Sequence, residues 1–250
     1  MAIELRSTKE IALMREAGRV VAETLALLRE RARPGVSTAE LDAVAFESAR
    51  KHGATPSFLG YRGYPASVCA SINDEIVHGI PKSDRVLAEG DIVSLDFGAV
   101  LRGYHGDSAI TVGVGKISPE AERLLVVTEE ALHKGLARAL AGGHLTDISA
   151  AIQEHAEAAG FGVVRKYVGH GIGRSMHEKP EVPNFGPAGR GPRLRSGMVL
   201  AIEPMVNIGS YDTIELADGW TVTTVDGSLS AHFEHTVAIT TVGPEILTLV

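Results

Sequence analysis

The hydrophobic pattern of this chain runs through two similar halves. In the first half, apolar residues recur with a helical period over Ile11–Leu28, behind a capping-box pattern at Ser7, and a second helical pattern runs from Ser37 to about Gly53. The second half repeats the pair, with helices predicted from the Ser118 cap to Leu136 and from a cap at Thr146 to Gly160. Two helices are therefore expected in each half, ahead of the strands.

Each pair of predicted helices precedes two short β-rich segments that carry acids. A segment bounded by glycines carries Asp96, and the segment that aligns with it in the second half carries Glu203. The next predicted strand begins with Asp107 in the first half and with Glu234 in the second. The order of helices, His-Gly-Ile motif and two acidic strands is the same in both halves, which indicates a duplicated unit.

The duplication predicts a single domain built from halves at about residues 1–115 and 116–250. Because helices are grouped ahead of strands, we expect an α+β fold with a mostly antiparallel sheet and with the acids of both halves face to face. The first half has a tight hairpin around Arg102–Tyr104, where the second has a long excursion. That excursion contains Trp220, the only tryptophan, as a candidate wall of a substrate pocket.

Composition narrows the class of protein without naming an activity. The 250 residues are 44% hydrophobic with a net charge of −7, and no lysine or arginine run predicts nucleic-acid binding. The single cysteine, Cys69, allows no intrachain disulfide, which fits a reducing compartment, so we expect a cytoplasmic protein. The N-terminal residues lack a signal-peptide core, and no apolar run approaches the ~18 residues of a membrane span.

The four acids are the main functional signal. Buried carboxylates without a partner are costly, so acids inside apolar strands need a cation nearby. Taken singly, Asp96 and Glu203 could face solvent from a strand, and Asp107 and Glu234 could be solvated turn residues. Their recurrence at matching positions in both halves favours a shared site instead.

Histidines accompany the acids. The motif His-Gly-Ile starts at His78 and again at His170, and His177 follows the second copy. A single histidine is more often structural than a ligand, but the glycines around His170 allow a ligand to approach closely. Four acids with one imidazole suit two divalent ions of manganese, iron(II), cobalt or zinc, and the other histidines are then available to handle protons. Such a site hydrolyses amides or phosphate esters.

Other catalytic signatures are missing from the sequence. It contains no Gly-x-x-x-x-Gly-Lys-[Ser/Thr] phosphate loop, no Gly-x-Ser-x-Gly nucleophile turn and no His-Glu-x-x-His zinc helix. Cys69 lies in an apolar, strand-like stretch, which favours a small pocket wall over a catalytic thiol. Metal-assisted hydrolysis is therefore the main hypothesis.

The chain resembles the type I methionine aminopeptidases of the bacterial short form over nearly its whole length. The resemblance lies in segments that are weak singly and specific together: Gly60–Pro65, Ser67–Cys69, Ser71–Glu75, Val77–Pro81, Asp96–Gly98, His105–Asp107, Gly169–Gly173, Met176–Glu178, Ile202–Pro204, Asp218–Thr221 and Phe233–Thr236. It implies the duplicated, pseudo-two-fold "pita-bread" fold, with helices on the outer face of the sheet. It also implies removal of the N-terminal methionine from nascent proteins and peptides with a small second residue.

The resemblance further implies two divalent metal ions and a distribution of their ligands. In the family pattern, Asp96 and Asp107 hold one ion, His170 and Glu203 hold the other, and Asp107 and Glu234 bridge the two. A hydroxide between the ions attacks the first peptide carbonyl. The free α-amine binds the ion held by Asp96, which explains the restriction to chain ends.

Catalytic and pocket residues are implied in the same way. His78 contacts the leaving amide, His177 polarises the carbonyl and Glu203 carries the proton of the attacking water. The methionine side chain is expected among Phe58, Tyr61, Tyr64, Cys69, Met176 and Trp220. The implied partners are the N-terminal methionine of nascent chains and, as a candidate, the ribosome, and a monomer is expected.

Two positions depart from the family pattern. Met176 stands where many members carry phenylalanine, a change that keeps the pocket apolar. His232 stands where glutamine is usual, and two possibilities stay open: it perturbs the surroundings of the metal site, or its side chain points away. Two rival interpretations stay open: a proline-directed peptidase of the same fold, and an adaptor protein that kept the fold and lost catalysis. Proline-directed members usually carry an extra N-terminal domain. Adaptors typically lose ligands, whereas all five predicted ligands are present in this sequence.

Overall fold

The computed structural model describes residues 3–250, which form a curled antiparallel sheet covered by helices. The α-helices are α1 (Thr8–Arg31), α2 (Thr38–Lys51), α3 (Pro119–Leu136) and α4 (Leu145–Ala158). The strands are β1 (Thr55–Pro56), β2 (Cys69–Ile72), β3 (Glu75–Val77), β4 (Ile92–Leu101), β5 (Tyr104–Gly113), β6 (Gly162–Val163), β7 (Gly169–Gly171), β8 (Glu178–Val182), β9 (Val199–Ile202), β10 (Met205–Asn207), β11 (Thr213–Glu215), β12 (Val222–Thr224), β13 (Ser230–His232), β14 (Glu234–Thr240) and β15 (Gly243–Ile246). Within residues 3–250, no helix has an apolar stretch long enough to cross a membrane.

Three of the four predicted helix starts are confirmed. Ser7 and Ser37 each cap their helix in a capping box, and Ser118 caps α3 with Pro119 in its first turn. These starts depend on residues within one turn of each other, so the local sequence is sufficient to predict them.

The prediction that Thr146 caps the fourth helix is wrong. Helix α4 begins two residues earlier, with His144 at the cap position, and the Asp147 carboxylate accepts the His144 N–H at 2.8 Å. The Thr146 hydroxyl instead accepts the Arg190 N–H at 2.8 Å and donates to the Arg190 carbonyl at 3.0 Å. A distant loop therefore decides the start of this helix.

The large sheet has nine strands in the order β1-β4-β5-β14-β9-β7-β8, with β2 also pairing with β4 and β15 with β14. Strands β5 and β14 come from different halves of the sequence and are direct neighbours. Two small sheets, β13-β10-β6 and β11-β12-β3, complete the fold, and the second joins the two halves because β3 pairs with β12. The predicted α+β class with a mostly antiparallel sheet is confirmed.

Strand periodicity explains why the acids share one face of the sheet. In β4, Leu95 and Phe97 pack into the core under α1 and α2, so Asp96 between them points to the opposite face. In β14, Val237 and Ile239 belong to the core under α3 and α4, and Glu234 lies on the other face. The helices therefore cover the outer face, and the acids line the inner, concave one.

The two His-Gly-Ile motifs do not occupy equivalent places, contrary to the sequence interpretation. His170 lies in β7 opposite Ala201 of β9. In the first half the strand next to β4 is β2, in which Ser71 lies opposite Ser94. His78 instead follows β3, in a different sheet, with a left-handed φ of 62°. Ser71 is thus the positional counterpart of His170.

Candidate metal centre and substrate pocket

A cavity of about 160 Å³ opens on the concave face of the sheet. Its walls contain every residue that the sequence predicted for the site, together with Arg62: Phe58, Tyr61, Arg62, Tyr64, Cys69, His78, Asp96, Asp107, His170, Met176, His177, Glu203, Trp220 and Glu234. Acids occupy one end of the cavity and apolar side chains the other. The space suits one amino-acid side chain rather than a folded segment.

The acids reach this cavity from four neighbouring strands. Asp96 lies in β4, Asp107 in β5, Glu203 directly after β9, and Glu234 at the start of β14. His170 joins them from β7, with its Nε2 3.9 Å from Asp107 Oδ2 and 3.5 Å from Glu203 Oε1. Five side chains from both halves therefore converge at one point.

The buried carboxylates lack partners within the described chain. Asp96 Oδ1, Asp107 Oδ1 and Glu234 Oε1 are inaccessible to solvent and accept no hydrogen bond from any residue between 3 and 250. Asp107, His170 and Glu234 each offer one ligand atom within 4.8 Å of the others. Oxygen donors with one imidazole nitrogen form a set that suits a divalent transition-metal ion.

The electrostatics of the acids also favour a cation. Burial raises the pKa of Asp96 to about 7. Burial and then repulsion from neighbouring carboxylates raise the pKa of Asp107 and of Glu234, and the same two causes raise the pKa of Glu203. Without a cation, these groups cannot all be ionised near neutral pH at low cost.

His170 is held in the form that can bind a metal. Its Nδ1 lies 2.9 Å from the Gly171 carbonyl oxygen, which can only accept, so Nδ1 carries the proton and Nε2 presents its lone pair to the acids. Burial lowers the pKa of His170 to about 4, so the ring is neutral at physiological pH.

His177 stands at the mouth of the cavity. Its ring lies 4.2 Å from the ring of His170, and its Nδ1 is 2.9 Å from the Tyr61 hydroxyl. Desolvation of the ring, followed by repulsion from His170, lowers the pKa of His177 to about 3, although one face of the ring is exposed. When the Tyr61 hydroxyl donates to Nδ1, the proton of the neutral ring resides on Nε2.

His78 closes another wall of the cavity. It is half-buried and meets the Trp220 ring edge-on at 6.0 Å and the Tyr167 ring at 5.7 Å. Burial lowers the pKa of His78, so this imidazole is also neutral. Its left-handed backbone is an outlier of the kind found at functional sites.

The apolar end of the cavity is an aromatic box with sulfur-containing walls. Tyr64 meets Trp220 edge-on at 5.0 Å and Phe58 at 6.5 Å. Cys69 and Met176 are buried in the same cluster. Burial raises the pKa of the Cys69 thiol, so this cysteine is neutral and packs as a small apolar group.

Two further polar residues lie near the acids. His232 is fully buried with neither ring nitrogen hydrogen-bonded within the described chain, and its Nε2 lies 3.7 Å from Glu203 Oε2. Of the two possibilities that the sequence left open for His232, the structure therefore favours a side chain beside the metal site. Asn184, which carried no signal in the sequence, donates through Nδ2 to the Glu203 carbonyl at 3.0 Å.

Comparisons with known proteins agree with this geometry. The profile of Metallopeptidase family M24 matches residues 12–241. A protein of Clostridium perfringens named methionine aminopeptidase is 59% identical over 248 residues, which cover 99% of this chain and 99% of that protein. The crystal structure of methionine aminopeptidase from Thermotoga maritima matches with a TM-score of 0.98 at 45% identity, covering 100% of each chain.

A more distant structure shares the architecture. The Xaa-Pro dipeptidase from Bacillus anthracis matches with a TM-score of 0.78 at 25% identity, and the match covers 98% of this chain but 61% of that one. The structural matches confirm the pita-bread fold. The family profile covers most of the sequence and the relatives align over their full length, so this chain belongs to metallopeptidase family M24.

Proposed function

We propose that this chain is a methionine aminopeptidase, which removes the N-terminal methionine from nascent proteins and from peptides with a small second residue. The observation that carries the proposal is the cavity itself, because it joins an apolar box sized for one side chain to a cluster of unpartnered carboxylates. Relatives that align over their full length bear the same name. Buried acids beside a neutral imidazole serve hydrolysis rather than passive binding.

Two divalent ions of manganese, iron(II), cobalt or zinc are proposed as cofactors. Asp96, Asp107, His170, Glu203 and Glu234 line the cavity and would hold these ions. When bound, such ions supply Lewis acidity and lower the pKa of water to near neutrality. The unpartnered carboxylate oxygens support this donor set.

The protein's own residues orient the substrate and move its protons. His177 donates from Nε2 to the oxygen of the first peptide carbonyl, because the Tyr61 hydroxyl occupies Nδ1. Glu203 accepts the proton of the attacking water, because its carboxylate lies in the cavity beside the other acids. His78 contacts the leaving amide from its place in the cavity wall.

The position of the apolar box explains the restriction to chain ends. Cys69 of the box lies directly opposite Asp96 across the β2–β4 pair. A methionine side chain in the box therefore brings its free α-amine to the Asp96 end of the carboxylate cluster.

The setting of the reaction follows from its substrate. Nascent chains that still carry their initiator methionine occur where translation takes place, so we propose a cytoplasmic enzyme that acts as a monomer near the ribosome. The single, buried Cys69 agrees with a reducing compartment.

The decisive experiment is peptide turnover after reconstitution with each ion under anaerobic conditions. We expect release of methionine from a Met-Ala-Ser peptide and no cleavage of matched X-Pro peptides. Cleavage of X-Pro peptides alone would favour the proline-directed rival. A folded, metal-loaded sample that releases no methionine would reject the proposal. Metal content measured on the wild type and on Asp107→Asn tests the adaptor rival, which predicts no difference between them.

A further inference from the structure

A second, larger groove continues outward from the cavity. It has a volume of about 800 Å³ and shares Arg62, His170 and His177 with the walls of the cavity. The rest of its lining comes from the N-terminal segment, the loop before β7 and strand β8: Glu4, Lys166, Tyr167, Val168, Gly169, Ser175, Glu178, Lys179 and Glu181. If the cavity holds the first residue of a substrate, as the proposed function requires, residues after the second one run along this groove.

All the acids of the groove are engaged by groups of the protein. Buried Arg6 forms ion pairs with both Glu4 and Glu178. Its guanidinium lies 2.6 Å from the Glu4 carboxylate. The Ser175 N–H also donates to Glu178 at 3.1 Å. Glu181 pairs with Lys179 at 3.0 Å. Each carboxylate of the groove thus has a cationic partner, and Arg6 shares its single charge between two of them.

Two cations of the groove, in contrast, are not neutralised. Arg62 and Lys166 are exposed, and neither forms an ion pair with any residue from 3 to 250. Each lies over an aromatic face, with the Arg62 guanidinium 5.4 Å from the Tyr61 ring and the Lys166 ammonium 5.6 Å from the Tyr167 ring. With buried Arg6 counted, four cations face three acids, so the groove carries a net positive charge on a protein whose net charge is −7.

The backbone holds Arg62 at the junction between cavity and groove. Its φ is 50°, a left-handed conformation in a residue that is not glycine, and Gly60 and Gly63 on either side have φ of 81° and 90°. Such a conformation persists only where the surrounding structure requires it. The tight turn places Arg62 where the cavity and the groove meet.

We propose that Arg62 and Lys166 are specificity-determining residues that favour acidic side chains at the third and fourth positions of the substrate. This inference rests on the proposed function. Exposed charge pairs contribute little each, so the expected preference of acidic over basic peptides is about three- to tenfold in kcat/KM at low ionic strength. The side chains of the third and fourth residues take no part in bond cleavage, so their contacts with Arg62 and Lys166 bind ground state and transition state equally. The preference therefore appears in KM rather than in kcat.

The test compares three peptides that differ only at these positions: Met-Ala-Glu-Glu-Ser, Met-Ala-Gln-Gln-Ser and Met-Ala-Lys-Lys-Ser. For the wild type we expect kcat/KM to fall in that order at about 0.02 M salt, and the differences to shrink at about 0.5 M salt as screening increases. In the double variant Arg62→Gln/Lys166→Gln we expect the three values to converge. The single variant Lys166→Gln gives an intermediate preference.

A matched control separates the groove from the net charge of the protein. Lys51 in α2 and Lys134 in α3 are exposed and line neither the cavity nor the groove. The variant Lys51→Gln/Lys134→Gln loses the same charge and should keep the wild-type preference. Equal kcat/KM for all three peptides in the wild type, or a preference that survives in Arg62→Gln/Lys166→Gln, overturns the inference. Failure of the proposed function is a different result, namely no methionine release from the glutamine peptide.

Discussion

The hydroxyl of Thr236 holds both backbone groups of Asp107. Its Oγ1 accepts the Asp107 N–H at 3.0 Å and donates to the Asp107 carbonyl at 2.7 Å. Thr111 makes the same two contacts with His232, at 2.8 Å to its N–H and 2.9 Å to its carbonyl. Strands β5 and β14 meet at the seam between the two halves, where their backbone pairing covers two residue pairs. The two threonines replace the missing backbone hydrogen bonds on either side of those pairs.

Removing the Thr236 hydroxyl should weaken both the seam and the metal centre. Thr236→Val keeps the shape but leaves a buried N–H and a buried carbonyl of Asp107 unpaired, which lowers the free energy of unfolding by about 1–3 kcal/mol. Urea unfolding of the metal-free protein measures this change. Metal affinity should fall as well, because the Asp107 backbone is no longer held.

Two variants control this prediction. Thr236→Ser retains the hydroxyl and should behave nearly as the wild type does. Thr111→Val disrupts the other end of the seam, which holds His232 rather than an acid of the cluster, and should reduce stability with less effect on metal affinity. Equal stability of Thr236→Val and wild type would show that the hydroxyl is dispensable.

The stability of the metal-free protein should depend on pH through its buried carboxylates. A carboxyl with a raised pKa in the folded state stabilises the fold below its unfolded pKa and loses that contribution as pH rises through the folded value. For Asp96, whose pKa is raised to about 7 by burial, the window runs from pH about 4 to about 7. Buried His170 has a lowered pKa and has the opposite effect on stability. Its contribution to the free energy of unfolding is present above pH about 6.5 and is lost as pH falls towards 4.

Comparison with Asp96→Asn isolates the carboxyl contribution, since the histidines are common to both proteins. In the metal-free state, we expect Asp96→Asn to gain stability relative to the wild type as pH rises from about 4 to about 7. Urea unfolding at several pH values measures the difference. Added manganese should stabilise the wild type far more than the variant. A difference that stays constant with pH would show that Asp96 does not titrate in this range.

His177 should act as a neutral hydrogen-bond donor. Replacing it by alanine removes the donor to the substrate oxygen and should lower kcat about 10²- to 10³-fold with little change in KM. Its pKa is lowered by desolvation and by His170, so the acid limb of the pH profile should not arise from His177. Initial rates across pH 5–9, about the stable range of most proteins, test both points.

Tyr61→Phe is the companion variant for His177. It removes the hydroxyl that lies 2.9 Å from Nδ1. If that hydroxyl is the donor, the ring proton can shift to Nδ1 in the variant and Nε2 loses its donor role. We expect about a tenfold lower kcat with an unchanged profile in pH. An equal kcat for Tyr61→Phe and wild type would show that Tyr61 does not select the tautomer.

His232 should influence metal binding more than folding. Its unpaired ring nitrogens mean that His232→Leu replaces an unsatisfied polar group, which is nearly neutral for stability. The same change removes the polar neighbour of Glu203 Oε2 and should weaken metal binding about 10- to 100-fold. His232→Gln keeps a donor and should retain most of the affinity. Competition with a chelator measures both, and equal affinity in all three proteins would exclude a role for His232.

Local chemistry made much of the fold predictable. The caps at Ser7, Ser37 and Ser118 are interactions within one helical turn, and the period of two in β4 and β14 assigns the acids to the face opposite the core. The start of α4 was missed because Thr146 is engaged by Arg190, more than forty residues away along the chain. Prediction failed where a distant contact overrode a local preference.

The site divides in the same way. The sequence indicated the donor types and the repeat that relates Asp96 to Glu203, and the structure brings those acids together in one cavity. The sequence motif wrongly indicated His78 as the counterpart of His170, because a short motif does not reveal which strands pair. The link between Tyr61 and His177 joins residues 116 positions apart and leaves no local pattern.

By itself, the sequence determined the four helices, the strands that carry the acids, the face on which each acid lies and the chemical nature of the ligands, since all of these follow from spacing within a few residues. Only the tertiary structure decided the protonation of Asp96, the free nitrogen of His170, the threonine contacts across the seam and the unpaired charge of Arg62. Those properties depend on distances between groups remote in sequence and on the exclusion of water by packing. No local pattern of residues encodes them.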